Sequence, residues 1–255
     1  IGEQAGFKRA LLLMEPFQLT VYKKIQKPGQ PLHVYIQGDG YAWVTRTRIS
    51  GDPTPRQPLA LELAALDPAP NVAYIARPCQ YTSLDASYAC DEAYWTGLRF
   101  AEEVINSMNG AVDWIVQENK IPTVDMIGYS GGATVAALIA ARRNDVTSLR
   151  SVAGNLDPFG LSDYHHVSEP DAGTLTPMAV TEDLASIPQV HFIGENDRIV
   201  PESIVAGFIA KLLPSTCARL EVVPGADHVK GWTEVWPELL KRPLSCTVNT
   251  SKKQP

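Results

Sequence analysis

Ser130, Asp197 and His228 stand in the chain order nucleophile, acid, base, and each falls in a turn-forming stretch directly after an apolar run. A serine hydroxyl is a weak nucleophile at neutral pH until a general base takes its proton, and the base needs a carboxylate to fix its tautomer. Gly128-Tyr129-Ser130-Gly131-Gly132 matches G-x-S-x-G, in which a tight strand-to-helix turn lifts the serine above a sheet edge and glycines relieve the crowding. Five residues of a common turn composition are a weak signal alone, so the remaining parts must come from elsewhere in the chain.

Five histidines compete for the base. His33 and His191 lie inside apolar runs and read as satisfied core or surface groups. His165 and His166 sit in a long polar stretch, solvated or touching substrate. His228, in Pro224-Gly225-Ala226-Asp227-His228, follows the last apolar run and is the expected base. Asp197, in Gly194-Glu195-Asn196-Asp197-Arg198, is the expected acid, with Asp157 the alternative one strand earlier. Glu195 and Asp227 read as loop caps or solvent-facing groups.

An acyl-transfer site also needs donors for the developing oxyanion. The backbone N–H of Gly131 is one. The second is expected from Gln37-Gly38-Asp39-Gly40, which is also an ordinary turn sequence, through Asp39 or the alternative Gly40. A carboxylate beside an oxyanion is unfavourable unless it is paired or turned away, and Arg46 or Arg48 is the expected partner. Tyr41 and Tyr129 are candidate substrate contacts, with His165 and His166.

The elements that must hold these residues follow from periodicity. Apolar or alternating runs at 17–25, 32–36, 71–76, 123–127, 149–153, 189–194 and 219–223 read as strands. Helical patterns occupy 58–66, 92–119, 133–142, 204–213 and 233–240. Strand–helix alternation predicts an α/β domain with a mostly parallel central sheet and helices on both faces. Residues 154–188 form a long irregular stretch, the candidate cap or lid. At 255 residues one domain accounts for the whole chain.

Net charge is -6, which offers no electrostatic footprint for nucleic acid or polybasic patch for anionic lipid. The apolar run Ala10-Leu11-Leu12-Leu13-Met14 is far too short to span a bilayer. The chain opens on Ile1 rather than Met, so an N-terminal segment is expected to have been removed. Four cysteines, Cys79, Cys90, Cys217 and Cys246, allow three connectivities; the expected pairs are Cys79–Cys90 and Cys217–Cys246. The alternative is four buried thiols in a reducing compartment.

With those residues placed, the chain resembles the α/β-hydrolase superfamily from Leu32 to about Leu240. Tyr35-Ile36-Gln37-Gly38-Asp39-Gly40, Asp52-Pro53-Thr54-Pro55, Ala76-Arg77-Pro78-Cys79-Gln80-Tyr81, Tyr94-Trp95-Thr96, Arg99-Phe100 and Ala153-Gly154-Asn155-Leu156-Asp157 further resemble uncharacterised bacterial α/β hydrolases labelled as lipoproteins. The second resemblance implies export to the periplasm or outer membrane, or secretion, with a lipid anchor upstream of Ile1. The sequence departs from hydrolases that carry His-Gly before the oxyanion donor, having Gln37-Gly38 instead.

The expected chemistry is hydrolysis of a small-molecule or lipid carboxylic ester or thioester through an acyl-enzyme, with no metal or organic cofactor. Amidase, peptidase or acyltransferase activity would use the same residues. A non-catalytic binding protein on this fold is the rival reading, for which a triad member should be missing; none is.

Overall fold

Eight strands form one sheet in the order β1-β2-β4-β3-β5-β6-β7-β8, in a computed structural model that describes residues 1–83, 89–212 and 217–246. The strands are β1 Lys8–Met14, β2 Phe17–Ile25, β3 Leu32–Ile36, β4 Asn71–Ile75, β5 Val124–Tyr129, β6 Val146–Val152, β7 Gln189–Gly194 and β8 Ala218–Val223. From β4 to β8 across the sheet every pairing is parallel, while β1 and β2 join antiparallel at one edge. Seven of these strands correspond to predicted ones. β1 does not: its leucine run is too short to span a membrane and has no strand period, yet it pairs with β2 from Lys8↔Lys23 to Met14↔Phe17.

Helices α1 Leu59–Leu66, α2 Glu102–Asn119, α3 Gly131–Ala140, α4 Pro158–Tyr164, α5 Thr181–Leu184, α6 Glu202–Lys211 and α7 Trp236–Leu239 connect or follow the strands. Side chains alternate between the sheet's two faces and define two apolar layers. Val34, Ile36 and Met126 pack with α2, α3 and α6. Tyr35, Ile127 and Tyr129 pack with α1 and α7, around buried Trp232 and Trp236. This is the α/β-hydrolase fold.

Two predicted elements are altered. The helical pattern over 92–119 is interrupted: a 3₁₀ turn at Glu92–Trp95 precedes α2, and between them a Cβ on Gly97 would lie 2.0 Å from Asp171 Oδ2. The stretch 154–188 is not wholly irregular. Asp157 caps α4 by accepting from Gly160 N at 3.0 Å, with Pro158 in the first turn, where its missing N–H costs nothing. The stretch is tied down beyond that helix, since Leu175 N donates to Phe100 O at 3.0 Å and Thr174 Oγ1 to Gly97 O at 3.0 Å.

Both expected disulfides are present, Cys79–Cys90 on the loop leaving β4 and Cys217–Cys246 tying the start of β8 to the segment after α7. Among the described residues no helix is long and apolar enough to cross a membrane.

Candidate active site

The sheet order places β3 beside both β4 and β5, so the chain leaves β4 and returns on the other side of β3. Such a reversal opens a crevice beyond the carboxyl ends of the strands, where open α/β sheets bind ligands. The loops leaving β3 and β5 are therefore neighbours, although Gly38 and Ser130 are far apart in sequence. A Cβ on Gly38 would approach Ser130 Cβ to 3.1 Å.

Ser130 has φ 51 and ψ -125, in the left-handed half of backbone space that a serine rarely occupies. Backbone bonds hold it there: Ser130 N donates to Val152 O, and Ser130 O accepts from Ala133 N and Asn155 N, each at 3.0 Å. Only glycine fits on either side of the turn. A Cβ on Gly128 would lie 2.4 Å from Ala133 Cα, and one on Gly132 would lie 2.4 Å from Ile36 O.

His228 Nε2 lies 3.0 Å from Ser130 Oγ, and His228 Nδ1 lies 2.9 Å from Asp197 Oδ2. The carboxylate accepts the Nδ1 proton, which leaves the Nε2 lone pair facing the serine hydroxyl. Asp197 is buried and fully used, because its Oδ1 accepts from Ile199 N at 2.8 Å and Val200 N at 2.9 Å. Tyr129 OH donates to His228 O at 3.2 Å, and its ring centre is 5.5 Å from the imidazole. Burial, with the negative charges of Asp197 and Asp227, holds that phenol well above its usual pKa, so it stays a donor. The strands that carry the acid and base loops are adjacent, and a Cβ on Gly194 would meet Ala226 O at 2.6 Å.

Asp227 and Glu195 are loop caps, as expected. Asp227 Oδ1 accepts from Val229 N and Lys230 N, while Glu195 Oε2 accepts from Gly225 N at 2.9 Å. Asp157, the alternative acid, is engaged in its helix cap and has no bond to His228. His165 Nε2 donates to Ile199 O at 2.7 Å, which braces the acid loop from α4; neither it nor His166 lines the cleft.

A second Ser–His contact, Ser151 Oγ to His191 Nδ1 at 2.9 Å, is fully buried. Burial pushes His191 down to about 3, and its Nε2 faces Gln189 Oε1 rather than a carboxylate. It has neither substrate access nor an acid, and it packs as a core pair.

Ser130 and His228 line a cleft of about 1170 Å³ whose wall also includes Tyr41, Trp43, Tyr129 and Val167. Asp39 also lines it, and here the predicted pairing is corrected. Neither Arg46 nor Arg48 reaches Asp39; Arg77 Nη1 lies 3.1 Å from its Oδ1 and Arg99 Nε 3.1 Å from its Oδ2. Arg77 is buried, which lowers its pKa to about 10, with Asp39 opposing the shift; it remains a cation at neutral pH. A buried cation at the end of an apolar strand was the available sequence signal for this partner, since such a charge requires an acid. The amides of Gly131 and Asp39 have no protein partner among the described residues.

A family model described as serine hydrolase (FSH1) matches residues 73–229, well over half of the chain. The chain belongs to that family. Serine hydrolases of this kind share their fold with a wide set of solved structures. Est1E from Butyrivibrio proteoclasticus superposes with a TM-score of 0.64 at 14% identity, over 91% of this chain and 96% of that one. An α/β serine hydrolase homologue from Coxiella burnetii gives 0.60 at 17%, over 91% and 93%. An esterase from Pyrococcus furiosus gives 0.64 at 15%, over 94% and 89%. At these identities the likeness is one of fold. No curated protein matches the sequence.

Proposed function

We propose that this serine hydrolase cleaves carboxylic esters or thioesters, with Ser130 as nucleophile, His228 as general base and Asp197 as its orienting acid. The observation that carries the reading is His228 bridging Ser130 Oγ at 3.0 Å and the buried Asp197 at 2.9 Å beside an open cleft. In this reading Ser130 Oγ attacks the acyl carbon as its proton passes to His228 Nε2, and Asp197 stabilises the imidazolium. The amides of Gly131 and Asp39 hold the oxyanion. The tetrahedral intermediate collapses as His228 returns the proton to the leaving alkoxide or thiolate. Water, deprotonated by the same imidazole, then attacks the acyl-enzyme, releasing the acid and freeing Ser130. No step needs a metal or organic cofactor.

Esters suit the site better than binding alone because the triad is complete and geometrically closed. Residues 154–188 act as the cap, through Val167 and Ser168 on the cleft wall. The two disulfides are compatible with export. A p-nitrophenyl ester panel from two to sixteen carbons, run on wild type and Ser130→Ala, tests the reading. Turnover abolished in the variant supports it. Equal turnover in both, together with no labelling of wild type by a fluorophosphonate, removes it.

A further inference from the structure

The peptide between Gly38 and Asp39 carries two groups that point in opposite directions, because a trans peptide is planar. Its carbonyl is taken: Gln80 Nε2 donates to Gly38 O at 3.1 Å. Its N–H, on Asp39, has no protein partner among the described residues and belongs to the loop in contact with Ser130. Gln80 is itself fixed at the other end, since its Oε1 accepts from Arg77 N at 3.2 Å, and it is 1% exposed. The same amide closes off the neighbouring residue. Gly40 has φ +73, and a Cβ there would lie 2.6 Å from Gln80 Nε2 and 2.1 Å from Pro53 O.

The backbone around Gln80 is held in an unusual shape. Cys79 and Tyr81, the residues on either side of it, have φ 69 and 58 in the left-handed region. Each is anchored: Cys79 by its disulfide to Cys90, and Tyr81 by its N–H to Thr54 Oγ1 at 2.9 Å and its carbonyl to Arg9 Nη2 at 2.7 Å. Strain retained by surrounding bonds clusters at functional sites. Here its product is one buried amide aimed at one carbonyl.

We propose that Gln80 is a positioning residue for the oxyanion hole: by holding the Gly38 carbonyl it fixes the Gly38–Asp39 peptide so that the Asp39 N–H faces the reacting carbonyl before substrate arrives. This rests on the reading of Asp39 as the second donor. Without the Gln80 donor, rotation of that peptide would turn a carbonyl oxygen toward the developing negative charge. Gln80 touches no substrate, and its effect falls on the transition state rather than on binding.

Gln80→Glu and Gln80→Met test this. The first sets a carboxylate against the Gly38 carbonyl and favours rotation; the second keeps the side-chain length and adds no charge, and it carries the test should the buried glutamate prevent folding. The readouts are kcat and KM on a p-nitrophenyl ester and the inhibition constant of a phenylboronic acid, whose tetrahedral adduct with a serine places oxygen in the hole. For Gln80→Glu the expected kcat loss is about 10²–10³-fold, the scale of one lost donor, with KM within about threefold. For Gln80→Met the expected loss is about tenfold, smaller because nothing repels the carbonyl. Boronate affinity should fall in step with kcat in both. Folded variants that keep kcat within about twofold of wild type would overturn the proposal, as would a kcat loss with unchanged boronate affinity. If wild type itself hydrolyses no ester, the ester reading fails and takes this one with it; if wild type is active and the variants match it, only the role of Gln80 fails.

Discussion

The Asp39 carboxylate occupies the space that a side chain on residue 131 would need: a Cβ on Gly131 would lie 2.0 Å from Asp39 Oδ1. The residue after the nucleophile is thus glycine for a reason specific to this site, and the two loops expected to supply oxyanion donors are in van der Waals register through that contact. Gly131→Ala should lower kcat by about 10²-fold, because either the carboxylate or the Gly131 amide must move and one donor is lost. Stability should change little. Steady-state kinetics beside a thermal melt separates the two effects.

Asp197→Asn should lower kcat by about 10⁴-fold, the effect seen when a triad carboxylate becomes an amide elsewhere. The physical reason is tautomeric. An amide N–H in place of Oδ2 faces His228 Nδ1 as a donor, which moves the imidazole proton to Nε2 and leaves Ser130 without an acceptor. Ile199 N and Val200 N still find the remaining oxygen, so a loss caused by unfolding should be absent from the circular dichroism melt.

His33 predicts a pH dependence of stability remote from the active site. Burial disfavours its charge, but hydrogen bonds to Asp125 and Asp67 and their two negative charges outweigh that, and it titrates up at about 9 against 6.5 for the free side chain. The folded state holds the proton more tightly. The resulting stabilisation is fully present below pH 6.5 and is lost as pH rises through about 9. Urea unfolding of wild type and His33→Gln should differ by about 3 kcal/mol more at pH 6 than at pH 9.5. A difference independent of pH would show that His33 contributes by packing alone.

Replacing both Cys79 and Cys90 by alanine should lower stability by about 2–3 kcal/mol, the scale for opening a short loop, here with a sequence separation of 11. Denaturant titration of the double variant measures it. Reduction of wild type with dithiothreitol should move the midpoint in the same direction.

That Ser130, Asp197 and His228 meet was legible because each follows an apolar strand that announces itself and sits in a turn that only a few residue types fill. The fold class was legible for the same reason. β1 was not: Lys8-Arg9-Ala10-Leu11-Leu12-Leu13-Met14 has neither a twofold nor a helical period, and its pairing with β2 decides its shape. α4 was hidden because Gly160, Ser162 and Asp163 are poor helix formers, and the helix depends on the Asp157 cap. The partners of Asp39 are not Arg46 or Arg48 but Arg77 and Arg99, which are distant from it in sequence. Arg77 and Arg99 reach it only because β3 and β4 are neighbours and the segment before α2 folds over both. Gln80 stands in a motif shared with the resembling hydrolases but its residue type carries no signal of a role, since that role is to face one carbonyl, and nothing in a residue type encodes direction.

β5, β7 and β8 carry the proposed nucleophile, acid and base outward along the sheet, and β8 forms the outer edge, its strand pairing among the described residues being with β7 alone. Parallel pairings across long crossovers form late, because loop closure must precede the contacts that reward it. A chain in which that outermost strand has not docked holds its serine without a base. On the proposed roles, catalytic competence is therefore a report on completed folding, and a molecule lacking that strand, however much sheet it contains, is chemically silent.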